Sequence, residues 1–181
     1  MDVKIIAVIG AGAMGRGIAC AAALGGYRTI LEDASSPARA QGLEWIRRSL
    51  EEGVARGEVT LQQKDDVLAL LSTARSVEEA CRDADLVIEA VPEEMEIKIE
   101  IFTLLDKFAK PGAIFASSAS SLSIADMAAI TFCPEKCVGC VSSMLRPRGG
   151  FSKLSSRPPP PATPSKLAAR WAAAWARKWS S

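Results

Sequence analysis

Apolar and polar positions along the chain fall into blocks that read alternately as strands and helices. Residues 3–9 form a run rich in Val and Ile that predicts a buried strand. It ends in Gly10-Ala11-Gly12-Ala13-Met14-Gly15. Residues 16–25 then read as a helix with Ile18, Ala21, Ala22 and Leu24 on its apolar face. A second strand covers about 27–32. Ser35-Ser36-Pro37 makes a helix start, with serine as cap and proline in the first turn. Leu43, Ile46, Leu50 and Val54 continue that helix at helical spacing until Gly57. Thr60-Leu61-Gln62-Gln63 opens another through a capping box, running to about residue 71. Two helices between neighbouring strands predict a helical arm that stands away from the sheet. Further strands are expected at 72–75, 84–92, 113–117 and 136–141, and helices at 77–82, 93–110 and 123–130.

This alternation predicts an α/β fold: a Rossmann-type, doubly wound, mainly parallel sheet with a helical arm after the second strand. The first strand, glycine turn and helix are the context in which Gly-x-Gly-x-x-Gly binds a dinucleotide. Gly10 allows the tight turn, Gly12 lets a pyrophosphate approach the backbone, and Gly15 lets the helix pack on the strand. The N–H groups from Gly10 through Gly15, with Ala11, Ala13 and Met14 between the glycines, then face the phosphates. Asp33 lies 18 residues after Gly15, where a carboxylate accepts hydrogen bonds from the adenine ribose and repels a 2′-phosphate. The expected cofactor is therefore NAD rather than NADP. In such a sheet, ligands bind at the carboxyl ends of the strands, so the loops at 10–15, 33, 91–93 and 117–121 are expected on one edge.

Composition adds bounds. An apolar content of 49% suits a sizeable core. No run is long and apolar enough for a membrane span, and the opening residues carry no signal-peptide pattern. Five cysteines, an odd number, fit reduced thiols and a cytoplasmic protein. Charge divides the chain: residues 1–135 hold 13 Lys/Arg against 21 Asp/Glu, whereas residues 136–181 hold 9 Lys/Arg and no acid. There is no histidine, which removes the commonest general base near neutral pH.

Three segments carry a family resemblance: Ile6-Ala7-Val8-Ile9-Gly10-Ala11-Gly12-Ala13-Met14-Gly15-Arg16-Gly17-Ile18-Ala19, Asp85-Leu86-Val87-Ile88-Glu89-Ala90-Val91-Pro92-Glu93, and Ser120-Ser121-Leu122-Ser123-Ile124. Over about residues 3–140 the chain resembles the NAD-binding domain of 3-hydroxyacyl-CoA dehydrogenases, including 3-hydroxybutyryl-CoA dehydrogenases. The resemblance implies oxidation of the 3-hydroxyl of an acyl-CoA thioester (or reduction of acetoacetyl-CoA) with NAD, in fatty-acid or butanoate metabolism. It implies that Glu93 and Lys98 contact the cofactor. Ser120 would touch the reacting oxygen, and Ser49 and Arg56 on the arm would hold coenzyme A. The loop departs from the family's Asn-Thr-Ser-Ser, reading Ser118-Ala119-Ser120-Ser121.

The pattern fails after the last strand. Val141 stands where the family has its catalytic histidine in a His-Phe-x-Asn-Pro segment, and Met144 where it has asparagine. Neither side chain can take those roles, and no acid follows Glu135 to partner a histidine. The expected organisation is a dinucleotide-binding domain at 1–141 and an irregular, basic Pro/Trp-rich tail at 142–181. By the resemblance, the family's C-terminal helical domain, which usually supplies the dimer interface, is expected to have no counterpart within these residues. Arg157-Pro158-Pro159-Pro160-Pro161 reads as polyproline II. Trp171, Trp175 and Trp179 make one stripe if helical. The tail's loss of His and acids, with gain of Pro and Trp, fits translation out of frame. Little or no turnover is then expected. Two other readings stand. One is a non-catalytic NAD/CoA-binding module whose basic tail docks on an anionic surface. The other is a related β-hydroxyacid dehydrogenase, which needs no CoA arm. Cys133, Cys137 and Cys140 lack a fourth ligand for zinc, so no metal is expected, and no nucleic-acid-binding motif is present.

Overall fold

The structure is a computed structural model that describes residues 3–119 and 121–139. Six strands are joined in one sheet: β1 (Ile5–Ile9), β2 (Arg28–Glu32), β3 (Leu71–Ala74), β4 (Leu86–Glu89), β5 (Ile114–Ser117) and β6 (Cys137–Gly139). Their order is β3-β2-β1-β4-β5-β6, and every neighbouring pair is parallel. This is the doubly wound order, with the switch point between β1 and β4.

Strand side chains alternate between two helical layers. Ile6 and Val8 of β1 face α1 (Ala13–Leu24), α2 (Ser36–Ala55) and α3 (Leu61–Leu70). Ala7 and Ile9 face α4 (Val77–Cys81), α5 (Met95–Phe108) and α6 (Ile124–Ala129). Because both faces are covered, β1 and the first three residues of β4 read as continuous apolar runs rather than alternating ones. On the second face Phe102 meets Phe115 edge to face, with centroids 6.3 Å apart.

The helical arm after β2 is based on α1: Ile46, Leu50 and Val67 are buried with Ile18, Cys20 and Ala23 of that helix, which keeps three large aliphatic groups out of water. Two local boundaries are corrected. α1 starts at Ala13, not 16, because the glycine loop itself forms the first helical turn. α5 starts at Met95, not 93. Glu93 stays in the loop after Pro92, where its Oε1 accepts from the backbone N–H and hydroxyl of Ser121, at 3.1 and 3.2 Å.

The opposite edge of the sheet is closed by Asp85. Its carboxylate accepts from the N–H groups of Lys4 and Ile5, both at 2.8 Å, and from the Lys110 ammonium at 2.6 Å. Burial pushes this carboxyl up, but those three donors outweigh it and hold it below the usual range. No helix among the described residues is long and apolar enough to cross a membrane.

Candidate functional site

The three motif glycines do three different things. Gly10 has φ +104°, and a Cβ there would sit 2.7 Å from the Ala90 carbonyl oxygen of the next strand's exit. A Cβ on Gly15 would sit 1.7 Å from the Gly10 carbonyl oxygen. Both are fixed by the protein's own packing. Gly12 is not: its φ is −64° and a Cβ would meet nothing within 4 Å. It is also the N-cap of α1 and supplies no capping side chain, while α2, α3, α4 and α6 are capped by Ser35, Thr60, Ser76 and Ser123. The loop therefore presents open space and uncapped N–H groups at the positive end of a helix dipole, the donor set that a diphosphate needs.

Asp33 follows β2 directly and ties this loop down. Its Oδ2 accepts from the Ala11 N–H and its Oδ1 from the Ser35 N–H, each at 2.9 Å. A carboxylate has about four acceptor positions, so both oxygens keep capacity for ribose hydroxyls. Arg39 donates to the Asp33 carbonyl oxygen, and Gly42 brings α2 close against Ala11. Ala13 is exposed and Met14 half-buried at the start of α1.

Next to Asp33 is a carboxyl that the sequence reading passed over. Glu32 is buried in register with Ile9 and Ala74. Burial, and then the neighbouring Asp33 carboxylate, push it up to about 7, against the pull of the Arg39 guanidinium.

The loops after β4 and β5 are held from beneath by a buried ion pair. Lys98 and Glu89 are both 0% exposed, with Nζ at 2.7 and 2.9 Å from the two carboxylate oxygens. Glu89 also accepts from the Val91 N–H at 2.7 Å and from the Ser117 hydroxyl at 2.5 Å. Ser117 Oγ in turn accepts from the Ala119 N–H at 3.1 Å. Lys98 adds the Val91 carbonyl at 3.3 Å and lies 3.8 Å from a Glu93 carboxylate oxygen. Lys98, expected from the resemblance to contact the cofactor, is enclosed here with its ammonium turned to Glu89, Val91 and Glu93. Ser120 lies outside the described residues, as do Cys140, Val141, Met144 and the tail at 142–181. The residues on both sides of Ser120 are anchored, Ala119 to Ser117 and Ser121 to Glu93. Glu89 was legible as an acid inside an apolar strand, and Ser117 as its strand's last residue. Neither sequence cue identifies its partner.

Ser49 sits half-buried on α2, and Arg56, its C-cap, is exposed. Arg56 pairs with Glu52 at 3.6 Å and Glu58 at 3.2 Å. Cys137 is buried beside Thr131, and Cys133 lies 3.5 Å from the Lys136 ammonium. Among the described residues no cluster of three metal-ligating side chains forms.

Two outcomes follow from these buried charges. Glu89→Ala leaves an unpaired buried ammonium and is expected to lower stability by about 3–5 kcal/mol, while Glu89→Leu with Lys98→Met recovers most of it; urea unfolding of both variants measures this. The folded state holds the Glu32 proton more tightly than the unfolded chain, near 7 against 4.5. Stability therefore falls as pH rises through that window, by up to about 3 kcal/mol. Glu32→Gln is expected to gain that stability at pH 8 and almost nothing at pH 4.5; equal urea midpoint shifts at both pH values would count against the burial.

Comparison with known proteins agrees with this geometry. Residues 5–140 match the family model described as 3-hydroxyacyl-CoA dehydrogenase, NAD binding domain. A probable 3-hydroxybutyryl-CoA dehydrogenase of Bacillus subtilis is 38% identical over 139 residues, covering 77% of this chain and 48% of the relative. A 3-hydroxybutyryl-CoA dehydrogenase of Bradyrhizobium diazoefficiens is 40% identical over 137 residues, covering 76% and 46%. The crystal structure of (S)-3-hydroxybutyryl-CoA dehydrogenase from Ralstonia eutropha superposes with a TM-score of 0.74 at 30% identity, covering 77% of this chain and 49% of that one. The chain spans about half the length of the curated relatives it matches. It belongs to the 3-hydroxyacyl-CoA dehydrogenase family, and residues 5–140 are the NAD-binding domain of that family.

Proposed function

We propose that the chain binds NAD across the carboxyl edge of its sheet and a 3-hydroxyacyl-CoA thioester along α2, as part of a protein that interconverts 3-hydroxyacyl-CoA and 3-oxoacyl-CoA in the cytoplasm. The observation that carries this reading is Gly12, whose lack of a side chain serves no protein contact. The α1 N–H groups would hold the diphosphate, Asp33 the adenine ribose, and Glu93 the cofactor beyond it. Bound NAD supplies the hydride acceptor. Ser120 would hydrogen-bond the reacting oxygen and orient it, while Ser49 and Arg56 would hold the coenzyme A end. The proton from the substrate hydroxyl needs a base, and none of the 181 residues is histidine. We therefore expect ligand binding with little or no turnover.

Domain limits of 1–141 and 142–181 belong to the same proposal, with the second segment read out of frame. The coding nucleotides check this directly: an alternative frame after about codon 141 is expected to restore a His-Phe-x-Asn-Pro-like segment, and two alternative frames without one would sink the idea.

Binding is tested through Gly12→Ala. Alanine fits the observed φ and meets no neighbour, so the melting temperature is expected to stay within a degree or two, as for a surface change below about 0.5 kcal/mol. NADH affinity, followed by fluorescence titration, is expected to fall by about tenfold or more, equivalent to about 1.4 kcal/mol. Unchanged NADH affinity in this variant would remove the reading of the loop as a diphosphate cradle.

A further inference from the structure

Among the described residues, a single buried side-chain nitrogen or oxygen has no hydrogen-bond partner: Nε of Arg16. That nitrogen is closed off from solvent and no protein group satisfies it, so a ligand would meet this half-buried side chain through its terminal nitrogens. Arg16 lies in the first turns of α1, four residues past Gly12, and its backbone N–H donates to the Gly12 carbonyl at 3.0 Å. Its guanidinium lies over the indole of Trp45, 4.8 Å from the ring centroid. No carboxylate among the described residues pairs with it, although acids neutralise Arg48, Arg56 and Arg82. A planar guanidinium held by an aromatic face is pre-organised for a phosphate, which it grips with two parallel N–H donors.

The position of Trp45 indicates which phosphate. Trp45 and Ser49 stand at i and i+4 on α2, and Arg56, its C-cap, follows at i+11, so the three fall on one side of that helix. Stacked on Trp45, the Arg16 guanidinium lies against the helix that carries Ser49 and ends at Arg56.

We propose that Arg16, stacked on Trp45, is a phosphate-binding residue for a coenzyme A-type ligand lying along α2, next to but separate from the dinucleotide site. The assignment rests on the reading of α2 as the coenzyme A surface. Arg16 supplies the unpaired positive charge on that path, since Arg56 is already shared between Glu52 and Glu58.

Titration calorimetry of the full chain with coenzyme A and, separately, with NADH tests it. For Arg16→Gln the coenzyme A dissociation constant is expected to rise about tenfold, as for loss of one charge-assisted contact. NADH affinity is expected to stay within about twofold. Arg16→Lys, which keeps the charge without the fork, recovers part of the coenzyme A affinity. Loss of NADH affinity with coenzyme A unaffected would overturn the proposal and give Arg16 to the dinucleotide diphosphate. Equal affinities for both ligands in wild type and Arg16→Gln would reduce Arg16 to packing. If the wild-type chain binds NADH but no coenzyme A, the reading of α2 fails and this inference fails with it.

Discussion

The ion pair between Glu89 and Lys98 organises the carboxyl edge of the sheet. Two opposite charges enclosed at 0% exposure are tolerable only when every remaining donor and acceptor is used. Here they are used on backbone: Val91 through both its N–H and its carbonyl, and Ala119 by way of Ser117. The cost of desolvating the pair is thereby coupled to the placement of two loops that leave different strands at the carboxyl edge. An apolar pair of the same size could fill the volume, but it could not aim those peptide groups.

The other half of the site is built by close backbone contact rather than charge. Gly10 and Gly15 bring loop, helix and the exit of β4 together at distances no side chain permits, and Asp33 closes the arrangement through Ala11. Family membership over residues 5–140 and the doubly wound strand order agree with this construction. So does the space left at Gly12.

Much of this could be seen in the sequence because it depends on local pattern. Strand periodicity, the capping box at Thr60 and Gln63, and the spacing from Gly15 to Asp33 all act within a few turns of chain. What could not be seen depends on partners distant in sequence. Nothing in the residues around Lys98 says that it will be enclosed by Glu89. Helical spacing at Ile46 and Leu50 marks an apolar face but does not name α1 as the helix that covers it. Glu93 has the composition of a first-turn helix acid, yet Ser121, 28 residues later, draws its carboxylate into the loop. Arg16 and Trp45 are 29 residues apart, and only the packing of α1 against α2 brings guanidinium and indole together.

The position of β1 has a consequence for the order of assembly. It pairs with β2 on one side and β4 on the other, and its N-terminal end is latched by Asp85, 80 residues ahead of Ile5. β1, α1 and β2 can associate through short loops, whereas the second side of β1 waits for a strand that closes a far longer loop. During synthesis the most apolar strand of the chain therefore spends its early life paired on one edge only. The segment that later cradles a ligand is, until β4 arrives, the part of the nascent protein most in need of shelter from other chains.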